Sequence, residues 1–319
     1  MAELLDINSM RGKTVMLVGP MNSGKTEKAI KWAENIKNHT DCKVMFFKPD
    51  IDKRAPPDRV VANTSEGKIT FPATTISSKN PEEVLLMIQG STNLIDVVFF
   101  DEINFFDAKI IEIFEKLKVA DAGKKRVVVG TGLDKNFRGE PFEPVQYVTA
   151  RADVTEFHQA YCKHIIKTAD GFQQCKKPAN YSMRLVLDEN AESRYDFFDK
   201  KNNPVIAKYV PAKYYDPTVV VEKAANNREG ASLSSVYYIS VCHDCFSISG
   251  KGNVVDIYNF IRGKGRGLEE IVEKFPDMET ERIIKFLQEE NRIVEKNGLF
   301  FPKHYVFDII SSSYTPERE

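Results

Sequence analysis

Gly19-Pro20-Met21-Asn22-Ser23-Gly24-Lys25-Thr26 satisfies the pattern G-x-x-x-x-G-K-[ST] at every fixed position, and its flanks supply the setting that the pattern needs. Upstream, Val15-Met16-Leu17-Val18 has the apolar character of a buried strand. Downstream, from about Thr26 to Lys37, Ala29, Ile30, Ala33 and Ile36 recur at helical spacing. Strand, glycine-bearing turn and helix start predict a cradle in which backbone N–H groups and a helix N-terminus converge on negative charge. In that cradle Lys25 reaches the β- and γ-phosphates of a nucleotide, and the Thr26 hydroxyl holds Mg²⁺. A chance match in a strand-to-helix turn is the competing reading; the flanking strand and helix argue against it.

The rest of the composition narrows the partners. A chain of 319 residues has the length of about two domains. The formal net charge of -1 leaves no global basic field to recruit nucleic acid or anionic lipid. Met1 to Lys13 lacks the apolar core of a signal peptide, and no later stretch approaches a membrane span, so a cytoplasmic protein is expected. Five cysteines without a secretory context point to a metal site or buried thiols rather than a disulfide framework.

Taken in order, Lys43-Val44-Met45-Phe46-Phe47 reads as a second strand, ended by Lys48-Pro49-Asp50. A polar loop with Asp52-Lys53-Arg54 and Pro56-Pro57 follows, expected near the phosphates. A helix from about Pro81 to Gln89 leads to Ile95-Asp96-Val97-Val98-Phe99-Phe100, which reads as a strand buried on both faces and ends in Asp101-Glu102. Neighbouring side chains on a strand point to opposite faces, so the two carboxylates can divide labour. Asp101 would support the Mg²⁺ shell, and Glu102 would act as general base on an incoming hydroxyl. A solvated acidic strand end is the structural alternative. A helix from about Ala108 to Val119 and a strand at Arg126-Val127-Val128-Val129-Gly130 continue the alternation, which predicts a mainly parallel sheet. All these motifs fall at C-terminal strand ends, where such sheets bind ligands. Phe105, Phe106, Phe137 and Phe142 could wall a flat slot for a nucleobase, or lie in the core.

The phosphate loop, Asp52-Lys53-Arg54, Asp101-Glu102-Ile103-Asn104-Phe105-Phe106, and Gly132-Leu133-Asp134-Lys135-Asn136-Phe137 with Pro141-Phe142 stand in one order over about half the chain. In this the sequence resembles the thymidine kinase family of the cytosolic, zinc-containing type. The resemblance implies ATP-dependent phosphorylation of a deoxynucleoside 5′-hydroxyl with Glu102 as base. It places Asp52 and Arg54 near the phosphates and metal, and Phe105, Phe137 and Phe142 around the base. It also implies a homo-oligomer, a tetramer in that family. From the residues alone, Lys25, Thr26-bound Mg²⁺ and Arg54 would stabilise charge developing on the γ-phosphoryl group.

From Ala150 onward helical periodicity stops. Cys242-His243-Asp244-Cys245 is a C-x-x-C pair, and with Cys162 and Cys175 it can bind Zn²⁺ tetrahedrally. Kinases of this family carry such a site beside a lasso-like lid over the nucleoside. Here the first pair is opened to Cys162-x12-Cys175 where the family has a second C-x-x-C. His158 or His164 could replace a sulfur, and metal-free buried thiols are a further reading. By resemblance, Ser182 lies near the base and Tyr238 is the lid tyrosine. The enlarged lid includes Tyr195-Asp196-Phe197-Phe198 and Tyr214-Tyr215-Asp216-Pro217, and Val219-Val220-Val221-Glu222 stands where the family uses a glycine pair. Asn104 replaces the family's usual glutamine.

The C-terminal stretch has no counterpart in a typical member. Leu268 to Phe275 and Glu279 to Glu290 read as two amphipathic helices. Arg292-Ile293-Val294-Glu295 and Leu299-Phe300-Phe301, separated by Lys296-Asn297-Gly298, read as a hairpin with an Asn-Gly turn. That is the outline of a winged helix, a DNA-binding shape, yet Glu279, Glu281, Glu289 and Glu290 make a poor surface for phosphates, so a protein contact is favoured over nucleic acid. Lys251, Arg262, Lys264 and Arg266, interleaved with glycines, read as a basic flexible linker.

The expected organisation is a P-loop α/β kinase domain over 1–150, a zinc-binding lid region over 151–250 and a winged-helix-like appendage over 251–319. The leading expectation is ATP:deoxythymidine phosphotransfer with ATP, Mg²⁺ and Zn²⁺ as cofactors. The alternatives are a kinase for another or modified pyrimidine deoxynucleoside, and a nucleic-acid-stimulated ATPase.

Overall fold

The computed structural model describes residues 5–53, 55–64, 66–92, 94–119, 125–169, 171–199, 203–205, 208–217 and 235–303. Two compact units divide the chain: Met1–Pro211 with Thr218–Ser247, and Ala212–Pro217 with Ile248–Glu319.

The first unit begins with a one-turn helix, α1 (Ile7–Met10), whose Asp6 side chain accepts from the Asn8 and Ser9 N–H groups. There follow β1 (Thr14–Val18), α2 (Lys25–His39), β2 (Val44–Pro49), the hairpin β3 (Arg59–Thr64) and β4 (Gly67–Pro72), and β5 (Thr74–Ile76). Next come α3 (Glu83–Gln89), β6 (Val97–Phe100), α4 (Ile110–Lys118), β7 (Val127–Gly132), α5 (Glu143–Arg151) and β8 (Val154–Phe157). Six strands form one sheet in the order β5-β2-β6-β7-β1-β8, and every pairing is parallel. The expected P-loop α/β architecture is therefore present.

Alternation along each strand builds a core on both faces. Met16, Val18, Phe47, Val98 and Phe100 pack with Ile110, Ile113 and Phe114 of α4 and Val145 of α5. Val15, Leu17, Phe46, Phe99 and Val129 point the other way, against Ala29, Ile30, Ala33 and Ile36 of α2. With both faces sealed, access to the sheet is left at its strand ends. Among the described residues no helix is long and apolar enough to cross a membrane.

Beyond β8 the first unit continues in short strands. These are β9 (Ala160–Tyr161), β10 (Ile165–Thr168), β11 (Gly171–Gln174), β12 (Pro178–Ala179), β13 (Tyr181–Leu187), β14 (Phe197–Phe198), β15 (Pro204–Val205), β16 (Tyr209–Pro211) and β17 (Val236–Val241). β13 is the centre of an antiparallel trio, β16-β13-β17, over a small core of Met183, Leu185, Phe197, Tyr209, Ile239 and Val241. Phe197, expected within an enlarged lid, is thus a fully buried core residue.

The second unit contains α6 (Lys251–Gly263), β18 (Arg266–Gly267), α7 (Leu268–Lys274), α8 (Thr280–Glu289), β19 (Ile293–Lys296) and β20 (Leu299–Pro302), with sheet order β18-β20-β19. This is the winged-helix outline, and Asn297 (φ 54°) and Gly298 (φ 75°) form the tight turn of its wing. The flexible linker is not there. Val254, Ile257 and Ile261 are buried on one side of α6, and a Cβ on Gly265 would stand 2.3 Å from the Phe301 ring. The apolar spacing i, i+3, i+7 outweighs the basic, glycine-rich composition. Tyr214 and Tyr215 are core residues of this unit rather than lid residues. Lys213 pairs with Glu279, and Arg282 with Asp216 at 2.6 Å, so both ion pairs fasten the segment Ala212–Pro217 to α8.

Candidate functional site

The site forms where β1, β6, β7 and β8 end side by side. After β1 the backbone turns at Gly19 (φ 148°), and an added Cβ there would lie 2.2 Å from the His158 carbonyl oxygen, so only glycine fits. Asn22 (φ 60°) and Gly24 (φ 82°) complete the turn into α2. Lys25 is buried, and its ammonium donates to the Pro20 carbonyl at 2.7 Å and the Ser23 hydroxyl at 3.2 Å. The loop thereby curls around its own lysine, whose ammonium is held between the Pro20 carbonyl and the Ser23 hydroxyl.

The Thr26 hydroxyl donates to Asp101 Oδ1 at 2.8 Å, and the Thr131 hydroxyl donates to the same oxygen. One carboxylate oxygen thus joins the helix start, the end of β6 and the end of β7. Asp101 is buried, and its carboxylate and the Thr26 hydroxyl together make a hard-oxygen pair suited to a divalent cation of the magnesium type. The next residue, Glu102, has φ 51°, a left-handed conformation that costs a non-glycine residue about 1 kcal/mol or more. It is half-buried, and its N–H donates to Thr131 Oγ1 at 3.3 Å, which holds the strained turn in place. Strain of this kind, beside a buried carboxylate at a strand end, marks a residue whose direction matters more than its local comfort.

The remaining expected residues fall as follows. Asp52 is buried in the loop after β2, and its N–H donates to Pro49 O at 3.2 Å. Arg54 and Val219-Val220-Val221-Glu222 lie outside the described residues. Phe105 is half-buried in a single 3-10 turn, Ile103–Phe105, and Phe106 is core, edge-on to Phe100 at 6.4 Å. Phe142 precedes α5 and packs on the sheet core. Phe137 is buried, with the guanidinium groups of Arg138 and Arg184 at 5.5 and 5.7 Å from its ring centre. Ser182 Oγ accepts the Met21 N–H at 2.9 Å, which ties β13 directly to the phosphate loop. Tyr238 lies on β17 opposite Arg184 and is half-buried.

Several residues here carried no sequence signal. Lys48 is buried, and its ammonium donates to the carbonyls of Ala55 and Pro56 at 3.3 and 2.5 Å, closing the loop that carries Asp52. Asn104, by contrast already marked in the sequence where the family has glutamine, accepts the Leu133 N–H at 2.9 Å through Oδ1. Arg138 and Arg184 are both buried. Charged residues are read as solvated by default, and only long-range packing reveals otherwise.

The sulfur atoms of Cys162, Cys175, Cys242 and Cys245 all lie within 4.8 Å of one another. Cys175 Sγ stands 3.9 Å from both Cys242 Sγ and Cys245 Sγ, against the roughly 3.8 Å separation that a tetrahedral zinc site with 2.3 Å bonds requires. The four can bind zinc. The residues between Cys162 and Cys175 form the β10–β11 hairpin, whose base is closed by Cys175 N–H to His164 O and Cys162 N–H to Lys177 O, each 2.9 Å. The insertion leaves the fold and returns, so its length does not move the ligands. Neither histidine replaces a sulfur: His164 Nδ1 lies 3.1 Å from Asp196 O, and His158 Nδ1 lies 3.3 Å from Ser23 O. Tyr195 OH donates to Cys245 O at 2.7 Å and steadies the second pair.

Burial pushes Cys162 up to about 11 and holds Cys245 well above the ordinary thiol range. At Cys242 burial is outweighed by hydrogen bonds from the Cys245 backbone and neighbouring thiols, and its value falls. A dication held there would favour the thiolate form of the cysteines that bind it.

A thymidine kinase family model matches residues 12–195, more than half of the chain. The matched span holds the phosphate loop, Asp101-Glu102, the Phe137 segment, and Cys162 and Cys175. It ends before Cys242.

Proposed function

The chain belongs to the thymidine kinase family, a family of nucleoside kinases, and from that premise we propose that it transfers the γ-phosphoryl group of ATP to the 5′-hydroxyl of deoxythymidine. The observation that carries the reading is the hydroxyl–carboxylate junction of Thr26, Asp101 and Thr131, which sets a phosphate loop and a candidate base side by side.

In this reading the loop amides and Lys25 receive the polyphosphate, and Thr26 and Asp101 hold Mg²⁺. When bound, the ion neutralises charge on the β- and γ-oxygens. Glu102 accepts the proton of the 5′-hydroxyl as that oxygen bonds to phosphorus. Asp52 and Arg54 act near the phosphates. Phe105, Phe137 and Phe142 enclose the base, Ser182 holds the loop against β13, and Tyr238 covers the nucleoside. Zinc on the four cysteines keeps the covering region folded. A homo-tetramer in the cytoplasm fits the family resemblance.

A second reading, a kinase for a different pyrimidine deoxynucleoside, draws on Asn104, whose short side chain is committed to Leu133 beside the proposed base slot. Incubation with γ-labelled ATP, Mg²⁺ and each deoxynucleoside in turn separates the readings. Label in dTMP alone supports the first; label in another pyrimidine monophosphate with none in dTMP supports the second. ATP hydrolysis without any labelled nucleotide refutes both.

A further inference from the structure

One side chain packed against the phosphate loop has no part in the reaction just described. His158 follows β8, its N–H donates to Val18 O at 2.7 Å, and its ring Nδ1 lies 3.3 Å from the Ser23 carbonyl oxygen. On the other side Nε2 lies 3.5 Å from Glu156 Oε2, the same oxygen that pairs with Lys28 Nζ. Lys28 stands on α2, the helix that the loop opens. Ser23, His158, Glu156 and Lys28 therefore close a circuit that binds the loop and its helix to the edge strand of the sheet.

Both neighbours of the ring are acceptors. A neutral imidazole has one N–H, so it can serve only one of them. With that hydrogen spent on Ser23, Nε2 faces a carboxylate, and it is a buried atom without a hydrogen-bond partner. A second proton on the ring satisfies Glu156 and places a positive charge behind the loop.

We propose that His158 is a positioning residue for the phosphate loop, and that its imidazolium form, bridging Ser23 and Glu156, is the state that receives a nucleoside triphosphate. The inference rests on the reading that this loop binds ATP.

The surrounding charges set the conditions. Burial, together with Lys28 and Lys25, works against the second proton, while Glu156 and the Ser23 carbonyl favour it; burial prevails, and the free protein's His158 titrates below the ordinary histidine value. His158 also lines a cavity of about 340 Å³ with Gly19, Pro20, Asp134, Lys135 and Tyr181, where Lys135 is paired to Asp134. A triphosphate seated in the loop adds negative charge nearby and draws the proton on, so ATP and the proton bind cooperatively. Each unit by which ATP raises the His158 pKa corresponds to about a tenfold gain in affinity at low pH.

Calorimetric titration of the full chain with ATP and Mg²⁺ between pH 5.5 and 8 tests this. His158→Gln reports the pH dependence that belongs to ATP itself. Relative to that variant, wild type is expected to bind about three- to tenfold more tightly as pH falls through the ring's titration. His158→Asn, which retains a donor toward Ser23, should match wild type near pH 8 and lose the extra low-pH gain. Glu156→Gln leaves the ring in place, so it reads the same step even where substitution of His158 impairs folding; its inflection should move to lower pH. In steady state the His158 effects should fall on the KM for ATP rather than on kcat. Wild type and His158→Gln with superimposable profiles overturn the inference and leave ATP binding standing. Wild type that binds no ATP at any pH overturns the phosphate-loop reading and this inference with it.

Discussion

The six-stranded sheet and the cysteine-held segment are continuous in sequence and stable for opposite reasons. The sheet is sealed on both faces, with Phe99 and Phe100 fully buried in opposite layers, so its stability is spread over many side chains. The segment after β8 has strands of two to seven residues over a core of about ten buried residues, and four sulfurs are its common point. A distributed core tolerates loss at one place, whereas a region gathered on one cluster of four sulfurs does not. The two regions meet at Ser182 and His158, both against the phosphate loop.

The largest effect should come from the metal. Apparent zinc-binding free energies in small domains are on the order of 10 kcal/mol, more than so small a core can replace. Cys242→Ser should lose the bound zinc and open the β13-β16-β17 region to hydrogen exchange while the parallel sheet stays protected. Metal analysis and exchange mass spectrometry measure this; intact protection in a zinc-free variant would erase the contrast. Within the sheet, Phe99→Ala should cost about 3–5 kcal/mol, read by denaturant unfolding, without release of zinc. At the junction, Ser182→Ala removes the acceptor for the Met21 N–H at about 1 kcal/mol, seen as roughly a fivefold rise in the KM for ATP.

The smallest effect is one of pH. Burial depresses His158 in the folded protein, so the unfolded chain takes up its proton first. Its contribution to stability is present above the ordinary histidine value and lost as pH falls through the depressed one. The melting temperature should therefore fall on acidification below about pH 6.5, less steeply in His158→Gln.

How legible each part was in the sequence follows from the range of the contacts that define it. The phosphate loop and the acidic end of β6 are local patterns, and the alternating apolar runs predict the parallel sheet around them. Cys162 and Cys175 looked too far apart because the hairpin between them is recognised only once Ile165 is known to face Gln174. The helix α6 was obscured by glycine and lysine, although Val254, Ile257 and Ile261 carried its period. Lys48, Arg138, Arg184 and His158 have no local signature, since what singles them out is burial by distant segments. The pairing of Ala212–Pro217 with α8 is likewise non-local and could not be read from spacing.

The central claim is that Glu102 takes the proton of a nucleoside hydroxyl while the loop around Lys25 holds the triphosphate. Parallel assays of ATP binding and γ-phosphoryl transfer in Glu102→Gln address it most directly. The account predicts wild-type affinity for ATP with Mg²⁺ and a fall in turnover of about 10²- to 10⁴-fold. Turnover near the wild-type rate with ATP binding intact would contradict it.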